Sequence, residues 1–236
     1  MFSLRLFGGA TLASPEGVLT GRVAQRHRLA LLALLAGAGP CGISRDKLLA
    51  CLTPELPDER ARHLLSNSLY LLRHTLGVDA VIGACDMLRL DSGMISVDVV
   101  SFTAALARGD RETAVGLYAG PFLDGFFLRG SPEFEQWAME ARERFSGACL
   151  AALEALAHAA EVAGDLRARS MWWGRCAAHD PLSSRLALRY MESLAVEGDP
   201  EAAVRHAGMH TMLVHQRLGM EPHPSVAAFA DRLRMH

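Results

Sequence analysis

The chain has 236 residues and is 50% hydrophobic, which is enough apolar material for one large domain or two small ones. The formal net charge is −2, and neither part of the chain is strongly basic. Residues 1–98 carry ten basic against nine acidic side chains, and residues 99–236 carry fourteen against seventeen. This balance excludes a coat protein that binds nucleic acid non-specifically, so any DNA binding must come from a local patch.

Neither the cysteines nor the apolar runs point to secretion or to a membrane. The five cysteines lie far apart without a Cys-x-x-Cys pair, which is typical of reduced thiols in a cytoplasm. The longest apolar run, 29–36, is too short to cross a bilayer. The Ala-, Gly- and Leu-rich composition with a single lysine, Lys47, is typical of bacteria with high-GC genomes. We therefore expect a bacterial, cytoplasmic protein with no membrane partner.

The first 98 residues follow the element order of a winged helix-turn-helix. Alternating apolar residues and turn formers favour strands, and apolar residues at helical spacing favour helices. The predicted elements are strands over 2–12 and 18–20, a helix from 24 that Gly37 and Gly39 end, a short helix over 45–52, a long helix over 59–76, and a hairpin of strands over 80–82 and 87–90.

Three residues mark the ends of the two later helices. Ser44 is a good N-cap for the short helix, and Asp58 is one for the long helix. Gly77 follows the long helix at the position where a glycine commonly ends one. The hairpin after Gly77 then takes the place of the wing.

From residue 99 the pattern becomes helical, with short Gly-Asp breaks. The breaks at 163–165 and 197–199 start 34 residues apart, which is the repeat length of tetratricopeptide helix pairs. The sequence therefore predicts a mainly α protein. It would have an α+β winged-helix DNA-binding domain over 1–98 and an all-α, tetratricopeptide-like domain over 99–236.

The long helix divides into an apolar side and a polar side. Its leucines fill one half, and a continuous polar arc of roughly 140° fills the other. The arc offers hydrogen-bond donors to phosphates and base edges and contains one carboxylate, Glu59. We take it as the candidate DNA-binding surface. Its predicted site residues are Arg62, His63, Ser66, Asn67, Tyr70, Arg73 and His74.

Motifs along the whole chain resemble those of the SARP-type antibiotic regulatory activators. These join an OmpR-like winged helix to a bacterial transcriptional activator domain. In the first half the matching segments are 4–8, 25–26, 29–35, 43–48 and 61–77. In the second half they are the Gly-Pro loop 120–123, the segment 179–182 (HDPL) and the segment 218–224 (LGMEPHP).

The resemblance implies how such a protein works. The long helix would enter the major groove of repeated sites upstream of promoters, and the hairpin would act as a minor-groove wing. The helical domain would support dimer contacts on DNA and contacts with RNA polymerase. Two positions depart from the family pattern. Leu71 replaces a residue that is often basic, and the wing reads Ile-Gly-Ala-Cys-Asp over 82–86, where Asp86 would face phosphates unfavourably.

Signals for other chemistry are weak. The chain has no P-loop, no Gly-x-Gly-x-x-Gly loop and no Gly-x-Ser-x-Gly elbow, so we expect neither an enzyme nor a cofactor. His206 and His210 have the spacing of a zinc-binding pair, but no cysteine nearby completes a site. We interpret them as surface histidines and expect no metal. The three tryptophans are interpreted as packing residues.

Two functions remain open from the sequence. The first is a DNA-binding transcriptional regulator, an activator, whose partners are double-stranded DNA, RNA polymerase and a second copy of itself. The alternative is a protein-interaction module in which a degenerate winged helix no longer binds DNA. The near-neutral first half and the acidic wing support the alternative.

Overall fold

The computed structural model describes residues 1–77, 80–84 and 86–235 and divides into two compact units, Met1–Gly147 and Ala148–His236. The strands are β1 (Phe2–Arg5), β2 (Thr11–Ser14), β3 (Gly17–Val18), β4 (Ile43–Ser44), β5 (Val81–Ala84), β6 (Met87–Leu90) and β7 (Ile95–Val97). The helices are α1 (Arg26–Ala38), α2 (Arg45–Leu52), α3 (Asp58–Leu76), α4 (Asp98–Ala107), α5 (Arg111–Leu117), α6 (Pro132–Ala163), α7 (Leu166–His179), α8 (Ser184–Glu197), α9 (Pro200–Leu218) and α10 (Pro224–Arg234). A short 3-10 helix, Gly39–Cys41, follows α1. The mainly helical fold with a small N-terminal β portion is confirmed.

The N-terminal strand differs from its prediction. Instead of one strand over 2–12, β1 and β2 form an antiparallel hairpin, because Gly8 and Gly9 adopt positive φ angles of 75° and 131° between them. The strand expected at 18–20 lies at Gly17–Val18. β7 was not predicted, and it pairs in parallel with β1 to give the sheet order β3-β2-β1-β7.

Two of the residues predicted to mark helix ends do not do so. Asp58 does not cap α3, because the N-cap is Pro57 and Asp58 is already helical. Its carboxylate lies instead in the first turn, where a negative charge favours the helix dipole. Gly37 does not end α1 but lies inside it, whereas Gly39, the other residue predicted to end this helix, is its C-cap. A Cβ atom at Gly37 would stand 2.8 Å from the ring of Trp137, so the absent side chain lets α6 approach. Ser44, in contrast, caps α2 as predicted, accepting a hydrogen bond from the Lys47 backbone at 3.2 Å.

The hairpin of the wing is confirmed and belongs to a second sheet. The strand order of this sheet is β4-β6-β5, and β6 pairs antiparallel with both neighbours. β4 lies directly before α2, so the wing is joined by backbone hydrogen bonds to the start of the helix-turn-helix. Cys85, at the predicted wing tip, lies outside the described residues.

Aromatic side chains form much of the core of the first unit. The Phe7 ring contacts those of Phe102 and Phe145 edge-on, with centroids 5.3 and 5.4 Å apart. Phe122, from the Gly-Pro loop, packs against Phe145 and Trp137. These rings belong to the N-terminal hairpin, α4, the loop and α6, so the residues just after position 98 share one core with the winged helix.

The Gly-Pro loop is held from both sides. Arg142 of α6 donates hydrogen bonds to the carbonyl oxygens of Phe122 and Leu123 at 2.8 and 2.9 Å. The Ser131 hydroxyl donates to the carbonyl of Leu52, at the end of α2, at 2.9 Å. The loop therefore fixes α6 to the helix-turn-helix rather than acting as a free linker.

Helix α6 is long and apolar enough to cross a membrane by length and composition alone, with a hydropathy of 1.2 in its most apolar window. The core helices of soluble proteins can meet the same test of length and composition. In this most apolar window of α6, 33% of the residues are buried.

In the second unit, each Gly-Asp break joins two helices by the same pair of caps. Gly164 and Gly198 take positive φ angles of 72° and 99° after a helix. Asp165 and Asp199 then accept hydrogen bonds from the backbones of Ala168 and Ala202 and begin the next helix. The 34-residue spacing is thus the repeat length of a junction at which one helix ends at a glycine and the next begins at an aspartate. Asp110, outside that spacing, caps α5 in the same way.

Several polar side chains of the second unit converge on Glu161. Glu161 of α6 accepts hydrogen bonds from the Trp173 indole at 3.0 Å and from Arg189 at 2.9 Å, and it pairs with Arg169 at 3.1 Å. Burial alone would raise the pKa of Glu161, but the hydrogen bonds from His158 and Trp173 and the neighbouring arginines outweigh it and lower the pKa. Trp173 is 1% exposed, as expected of a packing residue.

Candidate nucleic-acid interface

The apolar side of α3 fixes how the helix presents its polar arc. Leucines at helical spacing bury this side against the rest of the first unit, and α3 packs against α2 and β5. The buried residues are Ala61, Leu65, Ser68, Leu69, Leu72 and Leu76. Because the buried residues occupy one side, the opposite side must face outward along the whole helix.

The predicted arc is exposed over nearly its full length. Tyr70, in its middle, is 71% exposed, and its ring lies 6.2 Å from that of His74. The exposed members of the predicted site are Arg62, His63, Ser66, Asn67, Tyr70 and His74. The arc therefore presents cationic, amide, hydroxyl and imidazole groups together, which are the groups that contact phosphates and base edges.

Arg73 is placed differently from the other predicted residues. It is half-buried, and its Nε and Nη2 donate hydrogen bonds to the carbonyl oxygen of Val81 in β5 at 3.1 and 3.0 Å. This bond fastens the C-terminal half of α3 to the wing. A guanidinium has five N–H donors, so three remain after these two bonds. That Arg73 also reads a base stays a prediction.

The sequence reasoning missed Arg45, the first residue of α2. Its side chain lines a groove of about 450 Å³ together with Arg62 and Ser66 of α3. It also lines the neighbouring groove of about 410 Å³, which contains Tyr70. Arg45 therefore adds a cation beside the polar arc. Its position directly after the N-cap Ser44 was the available signal, because the start of a helix next to a recognition helix is a frequent phosphate contact.

Asp86 of the wing faces this same arginine. Its carboxylate lies 4.0 Å from Arg45 Nε, and its carbonyl accepts a hydrogen bond from the Arg45 backbone at 3.1 Å. Both side chains are partly exposed, so the ion pair itself is worth at most about 1 kcal/mol. Its main effect is on the charge of the groove. The Asp86 carboxylate partly neutralises Arg45, which would otherwise be available to bind a phosphate.

Comparison with known families bears on this arrangement. The model of the family described as "Bacterial transcriptional activator domain" matches residues 101–234, more than half of the chain. The chain belongs to this family. The resemblance to SARP-type proteins found in the sequence motifs is thereby confirmed.

A solved structure similar to this activator-domain protein is that of Mycobacterium tuberculosis EmbR in complex with a low-affinity phosphopeptide. The TM-score is 0.63 at 20% sequence identity, which shows a shared fold. The match covers 99% of this chain but 65% of the EmbR chain, so the chain spans less than two thirds of EmbR. A search of curated proteins gave no significant match.

The activator-domain match begins three residues after the predicted boundary at 98. The first compact unit, however, continues to Gly147 and so includes the beginning of the activator domain. The family match and the compact units thus divide the chain at different places. A functional boundary at 98 stays a prediction.

The interpretation of the candidate zinc pair as surface histidines was wrong for His210. Its side chain is 3% exposed, and its ring nitrogens lie 3.0 Å from the Ser184 hydroxyl and 3.1 Å from the Pro181 carbonyl. His206 packs edge-on against Tyr190, and burial lowers its pKa. Among the described residues no group of three or more His, Cys, Asp or Glu is placed to hold a metal ion.

Proposed function

We propose that this activator-domain protein binds double-stranded DNA, with α3 in the major groove and the wing over the adjacent minor groove. The observation that carries the proposal is the exposed polar arc of α3 between the start of α2 and the wing. A helix of this width fits the major groove of B-DNA, and flanking groups then meet the phosphates on either side.

The side chains of the arc have distinct roles in this proposal. Asn67, about midway along the length of α3, has an amide that pairs with the N6 and N7 atoms of adenine. Arg62 and Arg45 flank the arc and neutralise phosphates, and Ser66 donates a hydrogen bond to a phosphate or a base. Arg73 holds the wing against α3 through Val81. Base recognition thus falls to Asn67, and affinity falls to the two arginines.

The wider biological role follows from the family. We infer that the protein acts in the bacterial cytoplasm at repeated sites upstream of promoters, as an activator that contacts RNA polymerase. Two copies bound to adjacent repeats would contact each other through their helical domains. The families it resembles are transcription regulators, so we propose no enzymatic activity.

The direct test is a fluorescence-anisotropy titration of the full chain on duplexes from its own upstream region, over a range of salt concentrations. We expect Asn67→Ala to weaken specific binding by about 1–3 kcal/mol with an unchanged salt slope, because an amide releases no counterions. Arg62→Ala should weaken binding to all duplexes and reduce the slope by about one. Arg108→Ala, an exposed arginine at the end of α4, is the matched control and should change neither. Failure to bind any duplex at low salt would refute the proposal.

A separate prediction concerns Asp86. Replacing it by asparagine leaves the backbone hydrogen bond to Arg45 possible and frees the guanidinium for a phosphate. We expect about a three- to tenfold gain in DNA affinity near physiological salt, with a salt slope steeper by about one. Asp124→Asn removes the same charge from an exposed loop position and serves as the control. Equal affinities of the D86N and D124N proteins would contradict the phosphate role of Arg45.

The ion pair between Asp86 and Arg45 also supports the alternative function, a protein-interaction module without DNA binding. In that case the winged helix is a scaffold, and the helix pairs bind another protein. The two functions differ in one result. A pure interaction module binds no duplex even when D86N frees Arg45, whereas a regulator with a weakened wing gains binding.

A further inference from the structure

The first unit contains an apolar pocket that has no part in the proposed DNA interface. It has a volume of about 390 Å³ and lies where β6 of the wing sheet and β7 of the N-terminal sheet meet the end of α1. Leu35, Ile95 and Val97 form its floor, and Val100 of α4 lies at its edge. This volume and this apolar lining are those of a site for a small organic ligand.

The pocket has few polar side chains. Arg89 is the charged residue among those that line it, and Ser92, Ser96 and Ser101 add hydroxyl groups. No carboxylate lines the pocket among the described residues. Arg89 is exposed, and its guanidinium forms no hydrogen bond or ion pair with any residue that the structure describes. The pocket therefore combines an apolar floor with an unpaired cation at its rim.

We propose that this pocket binds a small amphipathic anion, a hydrophobic monocarboxylate such as a medium-chain fatty acid. The carboxylate pairs with Arg89, which offers two parallel N–H donors in the geometry that carboxylates accept. The hydrocarbon part lies over Leu35, Ile95 and Val97, and its own apolar surface is thereby removed from water. The serine hydroxyls complete the hydrogen bonds of the second carboxylate oxygen.

Charge and size argue against other ligand classes. A cationic ligand would meet Arg89 without a compensating acidic group, and like charges repel. A dinucleotide would need several phosphate-binding groups, whereas the pocket offers a single arginine. A neutral hydrocarbon fits the floor but leaves the guanidinium unused, so it should bind more weakly than a carboxylate of the same length.

The position of the pocket gives ligand binding a route to the wing. β6 is the central strand of the wing sheet, and its residue Arg89 lies directly opposite Ile82 of β5. A ligand held between Arg89 and the floor residues ties β6 to β7 and α1. The ligand site itself is independent of the proposed function, because binding to the pocket requires no DNA.

The test is isothermal titration of the full chain with decanoate, below its micelle concentration, and with decanol as the neutral match. We expect decanoate to bind at one site about three- to fivefold more tightly than decanol, the ratio expected of an ion pair with an exposed arginine. Arg89→Gln should weaken decanoate binding by about the same factor and leave decanol binding unchanged. Arg5→Gln, an exposed arginine of β1, is the control and should have no effect.

A second variant keeps the charge and fills the pocket. Val100 is 40% exposed at the pocket edge, so Val100→Trp should block the floor while the fold is retained, which its urea midpoint checks. Loss of decanoate binding in V100W with an unchanged midpoint supports the proposal. Equal binding of decanoate and decanol, unchanged binding in R89Q, or no binding to the wild-type chain would each overturn it. None of these results depends on whether the protein binds DNA.

Discussion

Replacing Gly42 by alanine is expected to destabilise the first unit by about 2–4 kcal/mol. An added Cβ atom would stand 2.7 Å from the carbonyl oxygen of Leu88 and 3.2 Å from its carbon, and both are backbone atoms that cannot rotate away. Gly42 also has a φ of 73°, where a side chain costs roughly 1–2 kcal/mol by itself. The steric overlap adds to this conformational cost.

The effect should reach the DNA interface, because Gly42 directly precedes β4. Ile43 and Ser44 pair with Leu88 and Met87 of β6, and these pairs join the wing sheet to the start of α2. Moving β6 away from Gly42 therefore moves the wing relative to the helix-turn-helix. DNA affinity should fall together with stability in G42A, even where the protein remains folded.

A matched control separates the overlap from the backbone conformation. Gly39 has a similar φ of 62°, but a Cβ atom there meets nothing within 4 Å. In urea denaturation, Gly39→Ala should lower the free energy of unfolding by the conformational cost alone. Gly42→Ala should lower it clearly more. Equal losses of unfolding free energy in the two variants would show that small shifts of the backbone relieve the overlap with Leu88.

The features that the sequence predicted well are local ones. The two faces of α3, the cap at Ser44 and the Gly-Asp junctions each depend on residues within a few positions of one another. The hairpin of the wing is local too, since its strands are joined by a short turn. Such patterns express helix and strand periodicity directly, and a single sequence is enough to read them.

What the sequence did not predict depends on contacts between distant segments. β7 is three residues long and exists as a strand because it pairs with β1, more than 90 positions earlier. Arg45 meets Asp86 only after the wing sheet has formed, and Arg73 meets Val81 for the same reason. His210 carries no local sign of burial, because its partners are Ser184 and Pro181 in another helix and turn.

Asp98 is the clearest of these distant contacts, and its removal is the second large effect that we expect. It begins α4, directly after β7, and its carboxylate accepts hydrogen bonds from the backbones of Leu6 and Phe7 at 2.9 Å and of Val99 at 2.8 Å. Leu6 and Phe7 are 0% and 4% exposed, so water cannot replace the lost acceptor. Asp98→Ala should therefore destabilise the first unit by about 2–4 kcal/mol, since each unpaired buried N–H costs roughly 1–3 kcal/mol.

The loss should be measured by urea denaturation at neutral pH, with Asp98→Asn and Asp124→Ala alongside. Asparagine keeps one acceptor oxygen but turns an amide N–H toward a backbone N–H. The free energy of unfolding of D98N should therefore lie between those of the wild type and D98A. Asp124 is exposed in the loop before α6, and D124A should match the wild type. A wild-type midpoint in D98A would mean that the N-terminal hairpin does not depend on this carboxylate.

The pH dependence distinguishes the carboxylate from a merely well-packed side chain. Burial raises the pKa of Asp98, and its backbone hydrogen bonds only partly offset this. The folded state therefore binds the Asp98 proton more tightly than the unfolded state, and this contribution to stability grows as the pH falls through the raised pKa toward the ordinary one. D98N has no such proton, so the difference in unfolding free energy between wild type and D98N should widen in that acidic range. A difference that narrows on acidification would mean that the backbone N–H groups hold the charged form more strongly than burial disfavours it.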